Sequence, residues 1–219
     1  MNVQEACPQL EPYACQPEDL FSKLDARMGG VALVELPDSA NPQGLVNRFA
    51  ELVDSLGERA IVNSSRYMSA DQLIRGPFYL TDTDSVAFAE EYEHVYGTIK
   101  NVIAEAVRKN VPRKRIESVW PYNSLSVKGF ADRQGTHTDY STVTAWLGAT
   151  NAGYEMDLPD GGSAEITNLP AHHVLVTRQA KWQSLSLPFR RRPGINHSLN
   201  WRPKDKDDSR AVGLSFFHF

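Results

Sequence analysis

The apolar residues of this chain change period part-way along, and that change limits the folds open to it more than any other feature. Before about residue 112 they recur three or four positions apart: Leu20, Phe21, Leu24 and Met28 after Pro17, then Leu45, Val46, Phe49, Leu52, Val53 and Leu56 after Asn41-Pro42. A third stripe, Tyr92, Val95, Tyr96, Ile99, Val102, Ile103 and Ala106, precedes Pro112. These predict three helices, the last over about 85–110, with Gly29-Gly30 and Gly57 as stop signals. Val31 to Leu36 is apolar throughout and predicts a buried strand. From about Arg115 to Phe219 the period is two, and short β-branched or aromatic runs alternate with turn residues. Strands are expected near 116–120, 124–130, 142–148, 153–158, 163–167, 173–178, 183–187, 195–200 and 211–218, with Pro159-Asp160-Gly161-Gly162 as a hairpin turn. Roughly eight strands with no helix between them predict a jelly roll or closed sandwich carrying the helices on its outside. No repeat or linker divides the 219 residues, so a single domain is expected: a helical part with one or more strands over 1–112 and a β core over 113–219.

Charge narrows the function classes. Lys plus Arg number 23 against 27 Asp plus Glu, a net charge of −4 that offers no general attraction to nucleic acid or anionic lipid. No apolar run is long enough for a membrane span, and the first twenty residues lack the basic start and apolar stretch of a secretory signal, so a cytoplasmic protein is expected. Cys7 and Cys15 have no third or fourth ligand nearby and no cationic neighbour to activate a thiol; both read as bystanders.

Phosphate-loop, Gly-x-Gly-x-x-Gly and Gly-x-Ser-x-Gly patterns are all missing from the sequence, which leaves the histidines as the carriers of chemistry. His94 and His218 read as a helix-surface and a terminal position. The informative segment is Gly135-Thr136-His137-Thr138-Asp139: on an extended chain residues two apart point to one face, so the His137 imidazole and the Asp139 carboxylate can converge on one ion. Alone this is weak, since about 0.4 such pairs arise by chance in a chain of this composition. His197, 60 residues downstream in another strand-like segment, supplies a third ligand. Two imidazoles and one carboxylate form the facial triad of non-haem iron(II) oxygenases, which leaves three coordination positions open. His172 and His173 compete for the third place. Arg210, 13 residues after His197 at the start of the last strand, is placed to pair with the far carboxylate of a dicarboxylic co-substrate, with Arg202 as its rival. Arg190-Arg191-Arg192 reads as a solvated run that an anionic substrate could also use, and Trp146, Trp182 and Trp201 as core or pocket lining.

His137-Thr138-Asp139 followed by Tyr140-Ser141-Thr142-Val143-Thr144, then Gly153-Tyr154-Glu155-Met156, His173-Val174-Leu175-Val176-Thr177, His197, and Arg210 before Phe216-Phe217, resembles the 2-oxoglutarate- and iron(II)-dependent oxygenases, nearest in texture to the isopenicillin N synthase branch. The likeness covers about residues 115–219. It implies a double-stranded β-helix, the cupin-like form of the jelly roll, with iron(II) held by His137, Asp139 and His197 and 2-oxoglutarate meeting Arg210. It further implies hydroxylation of a small molecule by dioxygen, or a related desaturation or ring closure, with an amino acid or a natural-product intermediate as the expected substrate. Asp139 argues against halogenation, because halogenating sites resemble this one with the carboxylate absent.

The sequence also departs from that pattern. Val212 stands where the branch has the serine of its Arg-x-Ser pair, and Ser215 lies on the other face of the strand. Leu125 to Phe130 lacks the Asn and Tyr of the branch, and Lys128 is the cation there that could serve the co-substrate instead. Phe130 and Tyr140, beside the metal pair in sequence, are the candidates for substrate contact. The last strand ends the sequence without the helix that often covers such sites, so an open pocket or a partner copy in a homodimer is expected. Two other readings stand beside the oxygenase: an iron(II) oxidase that uses no 2-oxoglutarate, and a non-catalytic binding protein on the same scaffold.

Overall fold

The computed structural model describes residues 7–56, 83–126, 133–185, 192–201 and 210–219. The α-helices among them are α1 (Leu20–Asp25), α2 (Pro42–Leu56) and α3 (Thr83–Asn110), the last two close to their expected bounds. The first expected helix is split. Pro17–Asp19 is a 3-10 turn that leads into α1, which ends at Asp25, short of the Gly-Gly stop.

Ten strands among the described residues form two sheets. One has the order β1 (Ala14–Cys15), β2 (Val31–Glu35), β8 (His173–Arg178), β5 (Val143–Ala149), β10 (Arg210–His218), β3 (Ser118–Ser126); the other has β4 (Arg133–His137), β9 (His197–Trp201), β6 (Ala152–Asp157), β7 (Ser163–Ile166). From β3 to β10 the chain passes from one sheet to the other at every connection but β6 to β7, and all pairings except β1 with β2 are antiparallel. That winding is the double-stranded β-helix, the jelly roll expected from the sequence.

Strand alternation divides the core in two. Ala32, Val34, Val174, Val176, Ala211 and Phe217 face the helices, where Phe49, Phe88, Val95, Ile99 and Ile103 cover them. Val31, Leu33, Leu175, Val212 and Leu214 face inward, against Tyr154, Met156 and Leu199 of the second sheet. Covered on both faces, β2 and β8 read in sequence as continuous apolar runs instead of alternating ones.

Three expectations are corrected. The strand expected at 183–187 begins instead inside a 3-10 helix, Ala180–Ser184. Trp182 there is fully buried, packs on Phe21 at 5.4 Å between ring centroids and donates its indole N–H to Asp25 Oδ1, so packing against α1 overrides the strand propensity of the run. The strands expected at 116–120 and 124–130 are one strand as far as Ser126; residues 127–130 lie outside the described set. Pro121 interrupts the pattern but not the strand, because β3 is an edge and a missing N–H on its open side costs no ladder bond. β4, finally, went unpredicted: Arg133-Gln134-Gly135-Thr136-His137 has no apolar residue, and only its pairing with β9 makes it a strand.

The cysteines behave as the sequence suggested. Burial pushes the thiols of Cys7 and Cys15 up to about 11, and Cys7 Sγ also donates to the Asn168 carbonyl. At pH 8 the thiolate fraction is then ~0.1%, against ~20% for an ordinary thiol, so labelling of the folded protein by a disulfide reagent is expected to run ~100-fold slower than labelling after denaturation. Comparable rates would show an activated thiol.

Candidate metal centre

His137 closes β4, Asp139 follows two residues later, and His197 opens β9; the first and last are register partners across the strand pair. The local reason is a break in the ladder. The β4–β9 register shifts between Gln134 and His137, so that both imidazoles arrive at the same end of the two strands, ring centroids 4.6 Å apart. His137 Nε2 lies 3.4 Å from Asp139 Oδ1 and His197 Nε2 lies 3.3 Å from Asp139 Oδ2. One ligand atom from each of the three residues falls within 4.8 Å of the others, the only such trio among the described residues. The rivals for the third place stand elsewhere: His172 Nδ1 bonds the Ala40 carbonyl and His173 Nδ1 the Ala171 carbonyl.

Tautomers follow from the carbonyls. His137 Nδ1 donates to the Gly135 carbonyl at 2.8 Å and His197 Nδ1 to the Ile195 carbonyl at 3.3 Å, each two residues back along its own chain. A neutral imidazole protonated at Nδ1 turns a bare Nε2 lone pair outward. Two such lone pairs then face the oxygens of one carboxylate, an arrangement that repels unless a cation or a shared proton lies among them. Two neutral nitrogens and one carboxylate suit a divalent transition metal, and their confinement to one side leaves other coordination positions free. The donor set therefore fits iron(II).

Asp139 is fixed from several sides. Thr144 Oγ1 donates to Asp139 Oδ2 at 2.7 Å, and Ser141 Oγ lies 3.1 Å from the same threonine hydroxyl. The fully buried Gln179 accepts the Asp139 N–H through Oε1 and donates through Nε2 to Thr177, while the Asp139 carbonyl accepts from the Ala180 N–H. Burial pushes the Asp139 carboxyl up, but in the metal-free protein, where protons and not a cation lie among the three groups, the hydrogen bond and charge of His197, the Thr144 hydroxyl and the charge of His137 outweigh it and hold the group below the ordinary carboxylate range. Partners of this kind orient metal ligands, so Thr144→Val is expected to weaken iron(II) binding ~10–100-fold, measured by anaerobic titration, and Thr144→Ser to restore it. Unchanged affinity in the valine variant would show that the hydroxyl does not position the carboxylate.

Behind His197, Tyr154 stacks on the imidazole at 5.1 Å and on Trp146 at 4.9 Å, which closes the inner side of the centre. The Tyr154 hydroxyl and the Trp146 indole N–H are buried and make no hydrogen bond within the described residues. Burial, then the charge of Asp139, push the Tyr154 phenol far above its ordinary range, so it remains a neutral donor. Glycine matters once here: a Cβ on Gly194 would collide with the Thr138 methyl, so the segment entering β9 approaches the His137–Asp139 turn closely only because residue 194 has no side chain. Sequence reasoning assigned no role to Tyr154, Gln179 or Gly194. Their roles depend on contacts between residues roughly 40 to 60 positions apart, and the one available signal was the Thr144 hydroxyl inside an otherwise apolar run, Val143 to Leu147.

The remaining expected residues divide. Tyr140 is 80% exposed at the rim, with Lys181 Nζ 4.2 Å over its ring. Arg210 is the first residue of β10, opposite Ser126. Val212 lies in the apolar layer between the sheets, whereas Ser215 faces the helices with Ala211 and Phe217. Arg192 Nε bonds the Asp25 carbonyl. Lys128, Phe130, Arg190, Arg191 and Arg202 lie outside the described residues, and so do the side chains of Trp201 and Arg210.

No family model matches the chain, and no curated protein sequence does. Solved structures do match. The 2-oxoglutarate complex of dioxygenase for auxin oxidation 1 from Arabidopsis thaliana aligns with TM-score 0.60 and 12% identity over 94% of this chain and 91% of its own. A full-length Neurospora crassa protein, solved in complex with α-KG and 5-formyluracil, aligns with TM-score 0.58 and 14% identity over 92% and 77%. A prolyl-4-hydroxylase of Pseudomonas putida aligns with TM-score 0.52 and 12% identity over 92% and 98%. This chain has their fold. At these identities the likeness speaks for the architecture, and the chemistry has to be argued from the chain's own residues. Among the described residues, no helix is long and apolar enough to cross a membrane.

Proposed function

We propose that the protein is an iron(II)- and 2-oxoglutarate-dependent oxygenase that hydroxylates a small molecule, with desaturation or ring closure as variants of the same chemistry. The convergence of His137, Asp139 and His197 carries this reading, on a jelly roll shared with solved oxygenases, two of the structures holding 2-oxoglutarate or α-KG. Bound by these three residues, iron(II) supplies the activation of dioxygen that is coupled to oxidative decarboxylation of 2-oxoglutarate.

The chain's own residues hold, orient and exclude. The two Nδ1–carbonyl bonds keep the imidazoles unprotonated at Nε2, and Thr144 and Gln179 hold the Asp139 carboxylate and backbone. The Tyr154–Trp146 stack covers one side of the His197 imidazole with buried aromatic rings. Arg210 is assigned to the far carboxylate of the co-substrate, and Lys128 is its second cation. Phe130 and Tyr140 are assigned to the substrate, an amino acid or a natural-product intermediate. The same reading has the protein as one domain working in the cytoplasm, without nucleic acid or membrane, and as a homodimer.

Anaerobic titration of apo-protein with iron(II) and then 2-oxoglutarate tests the reading. A visible metal-to-ligand charge-transfer band is expected in wild type and is expected to vanish in His197→Ala. One observation favours a second reading: Val212 puts an apolar side chain where a serine hydroxyl would help hold the co-substrate. Iron binding with no band would favour an iron(II) oxidase that uses no 2-oxoglutarate, and failure to bind iron would favour a binding protein.

A further inference from the structure

The end of α3 and the segment that leads into β3 line a groove of about 330 Å³ that shares no lining residue with the metal trio. Lys100 and Arg108 line it from α3, Lys114 and Arg115 from the segment that follows, and Ala104, Pro112, Ile116 and Phe219 give it an apolar floor. Among the described residues no side-chain carboxylate lines it, in a chain where Asp plus Glu outnumber Lys plus Arg 27 to 23. None of the four cations has an ion-pair partner among the described residues. On α3 no carboxylate stands three or four positions from Lys100; Glu105 stands three before Arg108 but does not line the groove, and no ion pair joins the two. The C-terminal end of a helix favours nearby cations, which accounts for Arg108 and Lys109 in the last turn, but not for Lys114, half-buried beyond it, or Arg115. Four like charges gathered around one concavity repel each other, and a bound multivalent anion would relieve that repulsion at all four together.

We propose that this groove is a second ligand site, for a small organic anion with two or more oxyanion groups, of the nucleoside diphosphate class. The cations hold the oxyanions and the planar, less polar body rests on Pro112, Ile116 and Phe219. The volume lies at the small end of ligand pockets, and the net charge of −4 repels an extended polyanion, so a small molecule fits better than a nucleic-acid strand. Phe219 follows the end of β10 and Arg210 begins it, which puts the groove roughly 30 Å along the strand from Arg210.

Calorimetric titration of the full chain with phosphate, pyrophosphate and ADP, at constant ionic strength, tests the proposal. Pyrophosphate is expected to bind at least tenfold more tightly than phosphate, and ADP more tightly again. Lys114→Ala/Arg115→Ala is expected to weaken both at least tenfold with an unchanged thermal midpoint and unchanged iron(II) affinity, and Arg108→Ala is expected to weaken them by itself. Pyrophosphate no tighter than phosphate, ADP no tighter than pyrophosphate, or binding indifferent to both variants would each overturn it.

Discussion

Asp139→Ala is expected to abolish stoichiometric iron(II) binding, and with it any turnover that depends on the metal. The carboxylate is the only anion in the trio and bridges the two imidazoles, 3.4 Å from His137 and 3.3 Å from His197. Without it the two Nε2 lone pairs offer a neutral, two-point site. The loss should exceed the ~10–100-fold that removal of an outer partner such as Thr144 costs. Iron content and affinity are to be measured anaerobically, with far-UV dichroism to confirm folding; wild-type affinity in the alanine variant would sink the triad assignment. The apo-protein gives a companion test. Since the Asp139 carboxyl is held below the ordinary carboxylate range, it contributes stability that is present above the unfolded value, ~4, and lost as pH falls through the folded value. Asp139→Asn should remove that part of the acid dependence and leave the rest.

The largest stability effect is expected at Arg178, which makes no contact with the metal ligands. The residue is 2% exposed, and its guanidinium bonds four carbonyls: Leu24 and Ala26 through Nη1, Gly29 through Nη2 and Pro193 through Nε. Its own backbone N–H donates to Gly30 and its carbonyl accepts from Ile195. One side chain thus ties the end of α1 to the segment that delivers His197. Gly30 makes room for it, with φ of +119° and a would-be Cβ 3.0 Å from Nη2. Arg178→Met keeps much of the volume but strands those carbonyls away from water, at a cost of about 3–5 kcal/mol, or roughly 10 °C in thermal midpoint for a chain of this length. Chemical denaturation and a thermal scan check it. Iron(II) affinity should fall as well, because the Pro193–Ile195 segment loses its anchor, and a variant as stable as wild type would show that Arg178 is not the clamp.

What could be read beforehand follows from how locally each signal is encoded. The stripes of α2 and α3 are set by residues three and four apart, and the structure reproduces them within two residues. Val31–Glu35 and His173–Arg178 were legible because burial on both faces forces an unbroken apolar run. β4 was not, because an edge strand of polar residues has no hydropathy signature; its existence depends on β9, 60 residues away. The helix at Ala180–Ser184 replaced an expected strand because Trp182 found a better site against α1 than any sheet offered.

The metal residues show the same division. The sequence by itself singled out His137 and Asp139, two apart on extended chain, and offered His197, at the start of a later strand, for the third place beside His172 and His173. It also determined the departure at Val212, now seated in the apolar layer between the sheets. Only the tertiary structure separated His197 from His172 and His173, by bringing its Nε2 to 3.3 Å from Asp139 Oδ2 in the one such trio among the described residues. Only it showed what holds the ligands: Thr144 and Gln179 on Asp139, Tyr154 against His197, Gly194 against Thr138, and Arg178 beneath them all. Ligand identity is a matter of residue type and short spacing, which a linear chain records. Ligand orientation is set by hydrogen bonds and packing between segments far apart in sequence, and those come into being only when the two sheets close on each other.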